Sequence, residues 1–130
     1  MFKTLALATS AAALLATTGC ANMPAPAANS PAMLAFGALV APSGMTLYTF
    51  DKDAANSGKS TCNGPCAALW PPMMATASDQ PVGAYTIVTR DDGSRQWAYK
   101  GKPVYTYKAD QKAGDRTGDN FKDVWHTIKE

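Results

Sequence analysis

Few side chains in this sequence can do chemistry. The single histidine is His126, and the single glutamate is Glu130. Cysteines stand at 20, 62 and 66, and Met73 and Met74 follow Trp70-Pro71-Pro72. His126 with Met73 or Met74 is a donor set suited to copper or to non-covalent haem iron, because imidazole and thioether ligate both. Covalent c-type haem is excluded, since no Cys-x-x-Cys-His occurs. Cys62, Cys66 and one histidine cannot complete a four-ligand zinc site. A plainer reading makes His126 a polar strand end and the methionines gap-filling core residues. Asp51-Lys-Asp53 starts like a calcium loop. Ala55, Asn56 and Cys62 then stand at its fifth, sixth and twelfth positions, where an EF-hand needs a ligand, Gly and Glu, so the motif fails. Asp53 and Asp110 read better as loop-holding carboxylates that accept backbone N–H bonds. No Ser-His-Asp set and no placed carboxylate pair is present, so no enzymatic activity is expected.

Cys62 and Cys66 enclose Asn-Gly-Pro, one residue more than a redox Cys-x-x-Cys. Two readings stand: a disulfide closing a tight turn, or a redox-active or metal-binding pair. The leader favours the disulfide. Met1-Phe2-Lys3 is followed by an uncharged Ala/Leu-dominated run to Thr18, then Gly19-Cys20. A short basic start, an apolar run and small residues before a cut describe a secretory signal over 1–19. The run is too short and alanine-rich to span a bilayer. Gly19-Cys20 resembles a bacterial lipobox, in which the cysteine is acylated and becomes the new N-terminus. Thr17 stands where leucine is usual, with Leu15 two places earlier. Ala21 is not the aspartate of an inner-membrane retention signal, which favours the outer membrane in a Gram-negative source. Lipidation of Cys20 leaves Cys62 and Cys66 as a pair, and an oxidising compartment joins such pairs.

The whole chain carries 12 Lys and Arg against 10 Asp and Glu. Loss of the leader removes only Lys3 from this balance. A near-neutral domain has no electrostatic footprint for nucleic acid, and no Lys/Arg block marks an anionic membrane surface. The expected partners are the membrane, through the lipid, and an envelope protein or small ligand. A monomer is expected.

Placing these residues requires the elements around them. Residues 20–35, containing ANMPAPAANSPA, are Ala/Pro-rich and read as a lipidated tether. Met33 to Val40 is more apolar and can hold a first strand. Residues 36–130 form one small domain, expected to be mainly β. Strands are expected over Thr46–Phe50, Tyr85–Thr89, Gln96–Tyr99, Val104–Tyr107 and Val124–Ile128. Asp91-Asp92-Gly93-Ser94 is a hairpin turn. Cys66–Trp70 and Asn120–Trp125 suit single helical turns.

The chain also repeats itself. GMTLYTFDKD at 44–53 returns as GKPVYTYKAD at 101–110. Each copy runs through a polar loop to a tryptophan, Trp70 or Trp125. This describes a duplicated strand–loop–turn module. Strand alternation puts Tyr48 with Phe50, and Tyr105 with Tyr107, on one face each. The tryptophans would cover those faces, giving one core about a pseudo-twofold axis.

Tyr48-Thr-Phe50-Asp-Lys-Asp53 and Tyr105-Thr-Tyr107-Lys-Ala-Asp110 together resemble the Yx(F/W/Y)xxD repeat of bacterial predicted lipoproteins. Cys62-Asn-Gly-Pro-Cys66-Ala-Ala-Leu-Trp70-Pro-Pro and Gly-Asp-Asn-Phe-Lys-Asp-Val-Trp125-His126 extend the resemblance over Gly44 to Ile128. It implies a secreted or lipid-anchored envelope protein; with Ala21 after the lipobox cysteine, the expected place is the periplasmic face or the surface of the outer membrane. It implies no established enzymatic activity.

Overall fold

The computed structural model describes residues 30–129. The leader, Cys20 and most of the tether lie outside the described residues. The chain begins with a hairpin of β1 (Met33–Ala35) and β2 (Ala38–Val40). Next comes β3 (Tyr48–Phe50), a long loop and the short helix α1 (Pro65–Leu69). Then follow β4 (Met74–Ala75), β5 (Tyr85–Thr89), β6 (Arg95–Tyr99) and β7 (Lys102–Pro103). A second loop, a 3-10 turn at Phe121–Asp123 and β8 (Trp125–Thr127) complete the fold. The architecture is mainly β, as the alternating aromatic and β-branched runs require.

The strands form three small antiparallel sheets: β1–β2, β3–β8, and β4–β6–β5 with β7 added to β6. The first strand starts at Met33, and Ala32 is buried, so the stretch read as tether yields its end to the folded domain. Ala32 joins the first core cluster, while Met33 and Leu34 stay exposed. Val104–Tyr107 does not form a continuous strand. Tyr105 instead makes single bridges to Tyr48 on one side and Pro72 on the other. Pro71 and Pro72 have no N–H to extend a ladder.

Two apolar clusters fill the interior. One contains Leu39, Leu47, Tyr85, Trp97, Tyr99 and Val104. The other contains Tyr48, Phe50, Cys62, Trp70, Tyr105 and Trp125. The second cluster is built almost entirely from the repeated motif.

Candidate functional site

The two copies meet at one residue pair. Tyr48 N–H donates to the Tyr105 carbonyl at 2.8 Å, and Tyr105 N–H returns the bond to Tyr48 at 2.9 Å. A residue facing its own counterpart is what a twofold axis demands. Matched backbone bonds surround it. Asp51 donates to Val124 and Lys108 to Leu69, both at 2.8 Å. Leu47 donates to Leu39 and Val104 to Trp97, both at 3.0 Å. Leu39 in turn donates to Ile128 as Trp97 does to Met73. Leu39 and Trp97 therefore hold equivalent places, and the β1–β2 hairpin is the counterpart of β5–β6. The duplication begins before the visible sequence repeat.

The motif side chains cross the axis. Tyr105 Oη donates to Asp53 Oδ2 at 2.5 Å, and Tyr48 Oη to Asp110 Oδ2 at 2.7 Å. Each tyrosine thus bonds the aspartate of the other copy. The remaining oxygen holds its own loop. Asp53 Oδ1 accepts Thr61 N–H at 2.7 Å and Thr61 Oγ1 at 2.6 Å. Asp110 Oδ1 accepts Thr117 N–H at 2.9 Å and the Thr117 hydroxyl. Both carboxylates are buried, and each has three donors, as a buried anion needs. Burial pushes the Tyr48 and Tyr105 phenols well above the usual tyrosine range. The Asp110 and Asp53 carboxylates facing them push the same way.

The aromatic rings cross as well. Trp70 and Trp125 stack at 3.8 Å with planes 3° apart. Tyr107 stacks on Trp70 at 3.9 Å, and Phe50 on Trp125 at 4.3 Å. Four rings in the order Tyr107, Trp70, Trp125 and Phe50 make one column across the axis. Tyr48 meets Trp70 edge-on at 5.3 Å, and Tyr105 meets Trp125 edge-on at 5.2 Å. Stacked and edge-on contacts of this kind add roughly 0.5–1.5 kcal/mol each beyond area burial.

One half carries an addition that the motif does not announce. Arg90 is buried, and its guanidinium reaches Ser60 Oγ at 3.0 Å, Gln96 Oε1 at 2.7 Å, the Cys62 carbonyl at 2.7 Å and Asn63 Oδ1 at 3.1 Å. Ser60 Oγ lies 2.6 Å from Tyr105 Oη. Tyr105 spends its proton on Asp53, so Ser60 must donate to Tyr105 while accepting from Arg90. The chain Arg90–Ser60–Tyr105–Asp53 runs from a buried cation to a buried anion with every proton pointing the same way, which strengthens each bond. In the other half Arg116 replaces Ser60, and Gly118 N–H approaches Tyr48 Oη at 3.3 Å. Arg90, Ser60, Thr61, Thr117 and Gln96 escaped the sequence reading. An isolated arginine beside a predicted turn looks solvent-exposed, and only the fold turns it inward.

Cys62 and Cys66 are joined by a disulfide. The bridge spans the loop into α1, with Cys62 packed in the aromatic cluster. His126 Nε2 pairs with Asp51 Oδ2 at 2.9 Å, and its Nδ1 lies 3.1 Å from Asn120 Oδ1. His126 is on β8, in the sheet with β3. Met74 is on β4, beside Pro31, Ala41 and Pro42 in a surface cleft of about 410 Å³. Met73 packs against the first core cluster. His126, held by Asp51 and Asn120, and Met74 stand on different sheets. Among the described residues no group of three or more His, Cys, Asp or Glu is placed to hold a metal ion. No helix among them is long and apolar enough to cross a membrane.

Two copies of one module, locked across a pseudo-twofold by exchanged Tyr–Asp bonds and a shared ring column, define a duplicated repeat domain. The model of the family described as a secreted repeat of unknown function matches residues 37–74 and 86–129, and the chain belongs to that family. Both matched segments include hairpin residues upstream of the visible repeat. Comparison with curated proteins and with solved structures gives no match.

Proposed function

We propose that this secreted repeat protein is a non-enzymatic lipoprotein of the cell envelope, anchored through Cys20, whose β domain binds or supports an envelope protein or small ligand. The observation that carries the reading is the use of the motif. Tyr48, Asp53, Tyr105 and Asp110 satisfy one another, and Phe50, Trp70, Tyr107 and Trp125 stack on one another. Groups committed in this way hold a scaffold and offer little to a substrate. The domain acts as a monomer and takes no cofactor. The test is native purification followed by fractionation, metal analysis and a visible spectrum. The reading expects a membrane-associated, colourless, metal-free protein, released by Cys20→Ser. Stoichiometric copper or haem would overturn it in favour of a redox or metal accessory protein.

A further inference from the structure

The geometry points to the β1–β2 hairpin as a membrane-contacting face, with Phe36 at its tip resting in the lipid interface. This inference rests on the anchor at Cys20. Three of the exposed large apolar side chains fall within four positions: Met33 is 55 % exposed, Leu34 52 % and Phe36 63 %. Met33 and Leu34 alternate to opposite sides of β1 and Phe36 closes the tip, so apolar side chains are exposed on both sides of the hairpin. The tip is also held at a cost. Phe36 and Gly37 link the strands with φ of 55° and 79°, the two positive values of a type I′ turn. Asn or Gly is the usual first residue there, and a large L side chain at positive φ is strained by roughly 1 kcal/mol or more. A strained position occupied by an exposed phenylalanine calls for a use of the ring.

The occupant follows from where the chain comes from. Twelve residues, 21–32, separate Cys20 from Met33. Fully extended they reach roughly 40 Å. That is about the width of the domain itself, so an acylated Cys20 leaves this hairpin, where the chain enters the fold, within reach of the bilayer. One cation flanks the tip. Arg116 Nη2 lies 3.5 Å from where a Gly37 side chain would begin, and the Phe36 ring lies over Gly114 in the same loop. Arg116 makes no ion pair among the described residues. The counterpart turn, between β5 and β6, carries exposed Asp91 and Asp92 instead. One hairpin tip is apolar and cation-flanked; its twin is acidic.

The test uses lipidated protein reconstituted in phosphatidylethanolamine–phosphatidylglycerol vesicles with brominated acyl chains. The native tryptophans are buried, so a tryptophan placed at the surface reports contact. Phe36→Trp emission should be quenched severalfold more than Asp92→Trp emission. Equal quenching of the two, with mass spectrometry showing the lipid on Cys20, would overturn the membrane face and spare the anchor. An unlipidated Cys20 would overturn both. An unquenched Phe36→Trp in a cross-linkable dimer would give the hairpin to a second copy. Phe36→Asn should raise the melting temperature, because it relieves the turn. A lower melting temperature would mean that the ring serves packing on Gly114, and would also overturn the proposal.

Discussion

At the scale of single residues, the phenol–carboxylate bonds carry the most weight. Tyr105→Phe removes the phenol donor to Asp53 Oδ2 and leaves a buried carboxylate short of a partner. Hydrogen bonds to charged groups are worth about 1.5–3 kcal/mol, so the loss should fall in that range by urea unfolding. Tyr48→Phe should cost a similar amount. The raised phenols also predict a pH dependence. The folded state favours the protonated phenol, so this contribution is complete below the unfolded tyrosine value of about 10. It is lost as pH rises through the higher folded value. Stability should therefore fall as pH rises from about 10 toward the folded value and level off above it. Tyr48 and Tyr105 should ionise only as the protein unfolds, seen as a late step in phenolate absorbance coincident with loss of tertiary signal. Their titration within the folded protein would contradict the burial. The role of Asp53 and Asp110 as loop holders was legible, because Asp in a turn has one common use. Their bonds to tyrosines of the opposite copy were not legible. Alternation says which face a side chain takes and does not say whose partner it meets.

At the scale of elements, the helix α1 is too short to stand alone, and the disulfide and Trp70 fix it. Cys62→Ser with Cys66→Ser closes no loop and should cost about 2 kcal/mol, the low end expected for so short a ring. A melting curve of the double variant checks it. The second loop has no such bridge and relies on close approach. A Cβ at Gly118 would lie 2.5 Å from the Trp70 ring and 2.9 Å from Tyr107. Gly118→Ala should therefore destabilise by roughly 1–3 kcal/mol through overpacking. Strands β5 and β6 and their Asp-Gly turn were legible from composition, and the helical turns near 66–70 and 120–125 from their flanks. The equivalence of the two hairpins was not. Leu39 stands where Trp97 stands, and Met33–Val40 shares no residue pattern with Tyr85–Tyr99. Only backbone bonds reveal them as the same part.

At the scale of the whole molecule, the sequence wrote its motif twice because each copy completes the other. Neither half holds a complete clasp. Asp53 needs Tyr105, Asp110 needs Tyr48, and Trp70 stacks on Trp125. Trp70→Ala or Trp125→Ala should cost roughly 3–5 kcal/mol, a large share of a small domain's stability, and unfold the two halves together. The most direct test of the exchanged clasp is a set of double-mutant cycles by equilibrium unfolding. Tyr48→Phe is paired with Asp110→Asn, and Tyr105→Phe with Asp53→Asn. The within-copy pairs, Tyr48 with Asp53 and Tyr105 with Asp110, serve as the reference. The exchanged clasp predicts coupling of about 1.5 kcal/mol or more in both cross-copy cycles and values near zero within each copy. Coupling confined to the within-copy pairs, or absent from all four, would contradict it.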